Sequence, residues 1–334
     1  KILFAIGATA VVAAVALFAL SSGPAAGNAM FLHGLEDYER SFLDFVAKYD
    51  RSYQTKREFM FRLANFRRSF DFIKNFESDS VVLGINDMSD MTNEEFHKYR
   101  TGLAPMPTGH DDKRDKIDGP IRNSVDWRDE GAVTSVKNQA ACGSCWSFAA
   151  IAAVEGLHQI QGKGLEVFSE QQLVECSWDE GNNGCSGGWF DWAWNYHLKQ
   201  GITTDDKYPY TATDYKKCSY KRSSMEKYTI EDYLMLEETD SALKKGLSKG
   251  PVAVAVGVND VFRGYSSGIM RSTDGCQEFP VNHAVTAVGY GSSDGVDYYI
   301  IKNSWGSGWG EDGYMRLETG NTCGILTRNG LPTK

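Results

Sequence analysis

The sequence predicts an α+β fold of two lobes behind a separate helical N-terminal segment, and three observations carry that expectation. Helix-patterned runs gather in the first half of residues 121–334 and strand-like runs in the second half. All seven cysteines and all eight tryptophans lie beyond residue 120. Before that point, residues 31–99 are cysteine-free and charged, with Phe45, Phe59, Phe61, Phe66, Phe70 and Ile73 recurring at helical spacings. With 334 residues and 42% hydrophobic content the chain can bury a sizeable core, and its net charge of -9 argues against nucleic acid as a partner.

Taken in order, the uncharged apolar run Ile2–Leu20 and the small residues after it read as a secretory signal over residues 1–27, lacking its first methionine. The alternative is a membrane anchor, since the run is near the length that spans a bilayer. Residues 28–120 form the leader. Its last part, 101–120, holds three prolines, three glycines and seven charges and reads as an exposed, cleavable linker, with maturation near Pro120–Ile121. Beyond it, "SCWSFAAIAAVEGLHQI", "SEQQLVECS" and "GWFDWAWNYHLKQ" predict helices, whereas "GPVAVAVGV", "HAVTAVGYG", "VDYYIIKNSW" and "GYMRLE" predict strands. The lobes divide at about residues 121–232 and 233–334. A cleft between such lobes is the expected site.

A secretory route permits disulfides, so seven cysteines allow three bridges and one spare thiol. The run "NQAACGSCWSF", residues 138–148, poses the question of which is spare. Structural zinc needs four ligands, and the chain has one Cys-x2-Cys pair only. A redox pair belongs in a βαβ context, not before a helix in a cysteine-rich secreted domain. Cys145 at a helix N-terminus, by contrast, has the dipole that favours a nucleophilic thiolate.

A nucleophilic thiol needs an imidazole to take its proton. Of six histidines, His33, His97 and His110 lie in the leader, and His158 is thirteen residues along the same helix, out of reach. His197 reads as a surface residue of a helix. That leaves His283, at the start of a strand. Asn303, ending another apolar strand before a glycine- and tryptophan-rich turn, can accept the imidazole proton and orient the ring, with Trp305 shielding the bond from water.

Jointly these runs resemble the papain-like cysteine proteases, whose cysteine signature is the Cys-Gly-Ser-Cys-Trp of residues 142–146, with His283 and Asn303 following Cys145 by 138 and 158 residues. The resemblance implies a papain-like fold, a helical left lobe and an antiparallel, barrel-like right lobe, behind an inhibitory propeptide. It implies Cys145 as nucleophile, His283 as its proton partner, Asn303 as orienter, and Gln139 as oxyanion donor beside the Cys145 N–H. It also implies the bridges Cys142–Cys185, Cys176–Cys218 and Cys276–Cys323, leaving Cys145 free.

In the leader, Glu58, Arg62, Phe66 and Ile73 match the family's propeptide helix motif, with Ser69 and Glu77 where asparagines are usual. "GINDMSD", residues 84–90, matches its companion motif with Met88 in place of phenylalanine. Acid release is expected where Glu58, Asp87 and Asp90 pair with arginines such as Arg62.

The same resemblance assigns Gly187 and Gly188 to the substrate-backbone edge, and Trp189, Phe190, Ala255 and Val281 to the main specificity pocket, with Asn282 and Trp305 beside the substrate. Arg328 falls at the pocket base, where it could pair with an acidic substrate side chain or fold outward and leave an apolar pocket. Thirty-three residues from Cys185 to Cys218 leave no room for a cleft-blocking loop, which implies an endopeptidase. The expected partners are protein and peptide substrates and the chain's own propeptide. No cofactor, metal, nucleic acid or lasting membrane association is expected, and the protein is expected to be a monomer of the secretory pathway, in a lysosome or digestive vacuole or secreted.

Overall fold

The computed structural model describes residues 35–106, 114–215, 217–221, 223, 225, 227–276 and 280–334. The expected signal segment, residues 1–27, lies outside the described residues. Among the described residues no helix is long and apolar enough to cross a membrane. The chain forms two compact units, residues 35–77 with 85–92, and residues 78–84 with 93–334.

The first unit is a helical hairpin of α1 (Asp37–Lys48) and α2 (Lys56–Asn75). Thr55 starts α2 by accepting the Glu58 N–H at 3.1 Å, while the Glu58 carboxylate accepts the N–H of Gln54, the residue before the cap, at 2.9 Å. The hairpin core is aromatic, with Phe66 5.2 Å from Phe42 and 5.1 Å from Phe45 between ring centroids, all three fully buried or nearly so. Phe61, also on the predicted helical pattern, is exposed. Asp90 accepts the Tyr53 hydroxyl at 2.8 Å and lies 3.9 Å from Arg51, while Arg62 donates to the Asp90 backbone carbonyl at 3.2 Å. Glu58 thus places one carboxylate oxygen at the start of its own helix. Met88 fills a fully buried position, which is why an apolar side chain of either shape serves there.

The second unit comprises, in chain order, β1 (Val81–Leu83), α3 (Asn93–Arg100), β2 (Val125–Asp126), α4 (Cys145–Ile160), α5 (Glu170–Cys176), α6 (Phe190–Gln200), β3 (Asp232–Met235), α7 (Asp240–Leu247), β4 (Val252–Val256), α8 (Asp260–Gly264), β5 (Tyr265–Met270), β6 (His283–Ser293), β7 (Val296–Lys302), β8 (Tyr314–Glu318) and β9 (Asn329–Thr333). The strands form an open sheet in the order β1-β5-β8-β7-β6-β4-β9-β3, with β2 beside β6. Pairing is antiparallel throughout except between β5 and β8. β6 and β7 close through Asp294-Gly295, both at positive φ (52° and 78°), the backbone a two-residue hairpin turn requires. That turn together with a register shift between Ala287 and Gly289 pairs Thr286 with Lys302 and so sets Asn303 relative to His283.

The alanine-rich α4 is buried on nearly every side because it runs between α6 and the sheet. β4, Val-Ala-Val-Ala-Val, is buried at all five positions, with alanines where the helix comes close. Two expectations are corrected. His197 is buried, not on the surface: Nε2 lies 2.9 Å from the Tyr228 carbonyl, and burial lowers its pKa to about 4. The linker is not uniformly exposed: Thr101 and Ile117 are buried, and Asp115 pairs in parallel with Leu236. Its backbone groups find strand partners, which composition does not register. Residues 118–124 are exposed, and 107–113 lie outside the described residues.

Candidate active site

Cys145 is the first residue of α4, and its Sγ accepts the backbone N–H of Ala284 at 3.3 Å. That contact brings the sulfur to the first peptide of β6, alongside His283. His283 Nε2 lies 2.9 Å from Asn303 Oδ1, and the same oxygen accepts the Ser304 N–H at 2.8 Å. Because a backbone N–H can only donate, Asn303 presents oxygen there, and the imidazole hydrogen must sit on Nε2. Nδ1 keeps its lone pair and has no hydrogen-bond partner among the described residues. Trp305 stacks on the ring at 4.8 Å and 24°, covering the His283–Asn303 bond.

Gln139 is fully buried and held through Ser304: its N–H donates to the Ser304 carbonyl at 2.8 Å, and its Oε1 accepts the Ser304 hydroxyl at 2.7 Å. The Nε2 end therefore points the other way, donating to the carbonyls of Cys142 at 2.9 Å, Tyr99 at 3.1 Å and Thr101 at 3.3 Å. Ser304 was not singled out from sequence, although it adjoins Asn303.

Three disulfides join Cys142 to Cys185, Cys176 to Cys218 and Cys276 to Cys323, and among the described cysteines Cys145 alone is free. The first fixes the turn before α4 to the loop carrying Gly187 and Gly188. A Cβ on Gly188 would collide with Asn182, whose Oδ1 accepts the Trp189 N–H at 2.8 Å. Asn182, hidden in an unremarkable "GNNGC" turn, thereby holds this glycine edge in place.

The segment 99–104 lies along the site. The Gly102 and Leu103 N–H groups reach the Asn282 carbonyl, each at 3.1 Å, and Gly188 N–H donates to the Gly102 carbonyl at 3.0 Å. Leu103 and Gly188 form a parallel bridge, and the Trp189 indole N–H donates to the Ala104 carbonyl at 2.8 Å. The Trp305 indole N–H takes the Arg100 carbonyl at 2.8 Å. Gly102 fits only because it lacks a Cβ, which would strike the Gly143 carbonyl. Leu103, Ala104, Met106 and Val281 pack against the core that holds Trp189, Phe190 and Ala255.

At Arg328 the outward-folding arrangement does not occur. The guanidinium does not fold outward but is buried, donating to Asp191 Oδ2 at 2.7 Å and lying 5.2 Å from the Trp189 ring centroid. Asp191, in the first turn of α6, pairs with this charge inside the protein.

Electrostatics follow from cover. Burial pushes the Cys145 thiol up to about 12 despite N–H donors at the helix start, and burial lowers His283 to about 4 despite its bond to Asn303. Dipole alone favours a thiolate, whereas burial of both groups acts against the charged forms.

The chain matches the family model described as papain family cysteine protease over residues 121–333, and the cathepsin propeptide inhibitor domain over residues 42–96. It is 37% identical over 319 residues to Digestive cysteine proteinase 3 of Homarus americanus, covering 91% of this chain and 98% of that one. It is 41% identical over 259 residues to a Cathepsin L-like proteinase of Fasciola hepatica, covering 76% and 79%. Among solved structures, digestive procathepsin L 3 from Tenebrio molitor larval midgut aligns with a TM-score of 0.79 at 36% identity, over 90% of this chain and all of that one.

A thiol held near 12 is nearly unreactive at neutral pH. Iodoacetamide should therefore alkylate Cys145 in the intact chain at least about 100-fold more slowly at pH 7 than after removal of the leader. Mass spectrometry of the labelled peptide measures both rates, and equal rates would show that the leader does not suppress the thiol.

Proposed function

Since this chain belongs to the papain family of cysteine proteases and carries a cathepsin propeptide inhibitor domain, we propose that it is an endopeptidase made as a zymogen, with Cys145, His283, Asn303 and Gln139 as its catalytic machinery. The single observation that carries the assignment is the convergence of one free thiol, at a helix start, with an imidazole whose far nitrogen is tied to Asn303. Once the site is open, Nδ1 of His283 takes the Cys145 proton, giving a thiolate and imidazolium pair. The thiolate attacks the scissile carbonyl, whose electron pair moves to oxygen between Gln139 Nε2 and the Cys145 N–H; each such donor contributes about 3–4 kcal/mol. Collapse expels the amine, protonated by His283, and leaves an acyl-enzyme. Water, deprotonated by the same imidazole, then attacks the thioester and releases the acid and the thiol.

In the native order the leader acts as inhibitor. Segment 99–104 occupies the donors of Gly188 and Gln139, the same groups a substrate backbone would use. The exposed run 118–124 favours processing near Pro120–Ile121, with the mature domain following. The relatives' names support a digestive role, which fits a lysosome, a digestive vacuole or secretion. A monomer suffices, because every named site group comes from one chain.

The activity is tested with an unstructured protein substrate. Activated wild type should cut internal peptide bonds, and Cys145→Ala should lower kcat by at least about 10⁴-fold while still binding substrate. Substantial residual cleavage by Cys145→Ala would remove the assignment of the nucleophile.

At the second residue before the scissile bond, the Asp191–Arg328 pair leaves no net charge for substrate, which favours bulky apolar side chains against Trp189, Phe190, Ala255 and Val281. A peptide library varied there should give wild type an apolar preference. Asp191→Asn, which removes that carboxylate, should raise relative cleavage of glutamate peptides about 10-fold or more. An acidic preference in wild type would contradict the neutral base.

Acid should open the zymogen. His283, lowered by burial to about 4 from 6.5, binds its proton more readily when water reaches it. A lowered histidine value means that falling pH costs the covered state stability through the window from 6.5 to about 4, up to about 3 kcal/mol. Processing of purified zymogen should thus accelerate steeply across that window in electrophoretic time courses; a rate independent of pH would exclude this trigger.

A further inference from the structure

We propose that Tyr210 is a positioning residue for the oxyanion donors, its hydroxyl tying together the two ends of the turn that presents Gln139 and the Cys145 N–H. The inference rests on the reading of those two groups as the donors. Tyr210 donates its hydroxyl hydrogen to the Gln139 carbonyl at 2.8 Å, and its oxygen lies 2.7 Å from the hydroxyl of Ser144, the residue immediately before Cys145 at the start of α4. With the tyrosine hydrogen spent on Gln139, Ser144 is the donor in the second bond.

The turn between these two ends needs outside support. Ala140 sits at φ 53°, a left-handed conformation that strains a residue with a Cβ, and Gly143 is packed so tightly under Cys185 that a side chain there would clash. Ser304 holds Gln139 from one side through its carbonyl and hydroxyl. Tyr210 holds it from the other, and is itself fixed by an edge-on contact with Phe148 of α4, 4.9 Å between centroids at 81°, and by its own N–H donating to Asp205 at 3.2 Å. The Gln139 carbonyl is fully buried, so losing the phenol hydrogen leaves an unpaired acceptor that can be satisfied only if the turn shifts. A shift of that turn moves Nε2 of Gln139 relative to the Cys145 N–H, and donors must lie within a few tenths of an ångström of the developing oxyanion to act. Tyr210 touches neither Cys145 Sγ nor the imidazole through any hydrogen bond described, so the thiolate and imidazolium pair should form as before.

The test is Tyr210→Phe in the full chain, activated by its own processing, which keeps the ring against Phe148 and removes one oxygen. We expect kcat to fall about 10-fold with KM unchanged. A peptide aldehyde, whose hemithioacetal oxygen sits where the oxyanion forms, should lose affinity by the same factor, while the pH profile of Cys145 alkylation stays as in wild type. Gln139→Ala is the control. If it lowers kcat and aldehyde affinity about 100-fold while Tyr210→Phe changes both less than twofold, the role of Tyr210 is refuted and the oxyanion reading stands. If Gln139→Ala is also without effect, the oxyanion reading itself fails. Should Tyr210→Phe not fold, Ser144→Ala decides: unchanged aldehyde affinity overturns the proposal, and a loss with unchanged alkylation supports it.

Discussion

The contact between the Ala284 N–H and Cys145 Sγ is the seam on which the rest of the site depends. It joins the first residue of the helical lobe's central helix to the first peptide of the strand lobe's central strand. Such an approach requires small side chains, and α4 and β4 supply alanine after alanine at the interface. Behind the seam, charge does the fastening: Lys137 binds Glu155 of α4 at 2.8 Å and Glu170 of α5 at 2.6 Å, while Lys302, directly before Asn303, donates to Thr134 at 2.9 Å, which in turn donates to Glu155 at 2.6 Å. Burial lowers Lys302 to about 8 and raises Glu170 to about 7. The strand that carries the orienting asparagine and the helix that carries the thiol are thus linked by one buried polar network, and such networks favour a single arrangement over sliding.

Seen from that seam, latency is a matter of water. The 99–104 segment makes its contacts mostly through backbone groups, so it covers the site without requiring much of its own sequence. Gly102 is the exception, because a side chain there would meet Gly143. Under the cover both reactive groups lose the solvation that a charged pair needs, and desolvation of this size outweighs the helix start that would otherwise favour a thiolate. On the proposed function, the contacts that cover the reactive groups are also those a substrate backbone would use.

What the sequence made legible was local chemistry. A cysteine before a helix, a histidine opening a strand and an asparagine closing one are each readable because residue type, position in an element and reactivity coincide. The predicted helices and strands around them persist for the same reason: their periodicity is strong and their lengths are ordinary. What stayed hidden depended on distant partners. Arg328 could not be placed because Asp191 lies 137 residues away, and nothing near either residue signals the pair. The proline, glycine and charge content of 101–120 described a soluble linker, yet its backbone donors and acceptors pair with Asn282, Gly188 and Leu236. Composition reports side chains, whereas those bonds belong to the backbone. His197 was misread since a polar residue in a helical pattern is usually exposed; here a carbonyl of a distant segment, Tyr228, provides the buried partner.

Occupation of the cleft by the chain's own segment also explains how modest contacts can hold it closed. The segment's bonds to Gly188, Asn282 and Gln139 are individually worth about 1 kcal/mol net, no more than a substrate backbone would gain from the same groups. A tethered competitor, however, is present at an effective concentration on the order of millimolar, whereas a free peptide must supply its own. On the proposed processing in the exposed run 118–124, every one of those contacts stays intact and only the tether is removed. The released leader then competes as a separate molecule and dilutes away. On that proposal the switch from latent to active requires no rearrangement of Cys145, His283 or Asn303, whose contacts are already in place, and what changes is the concentration of the covering segment.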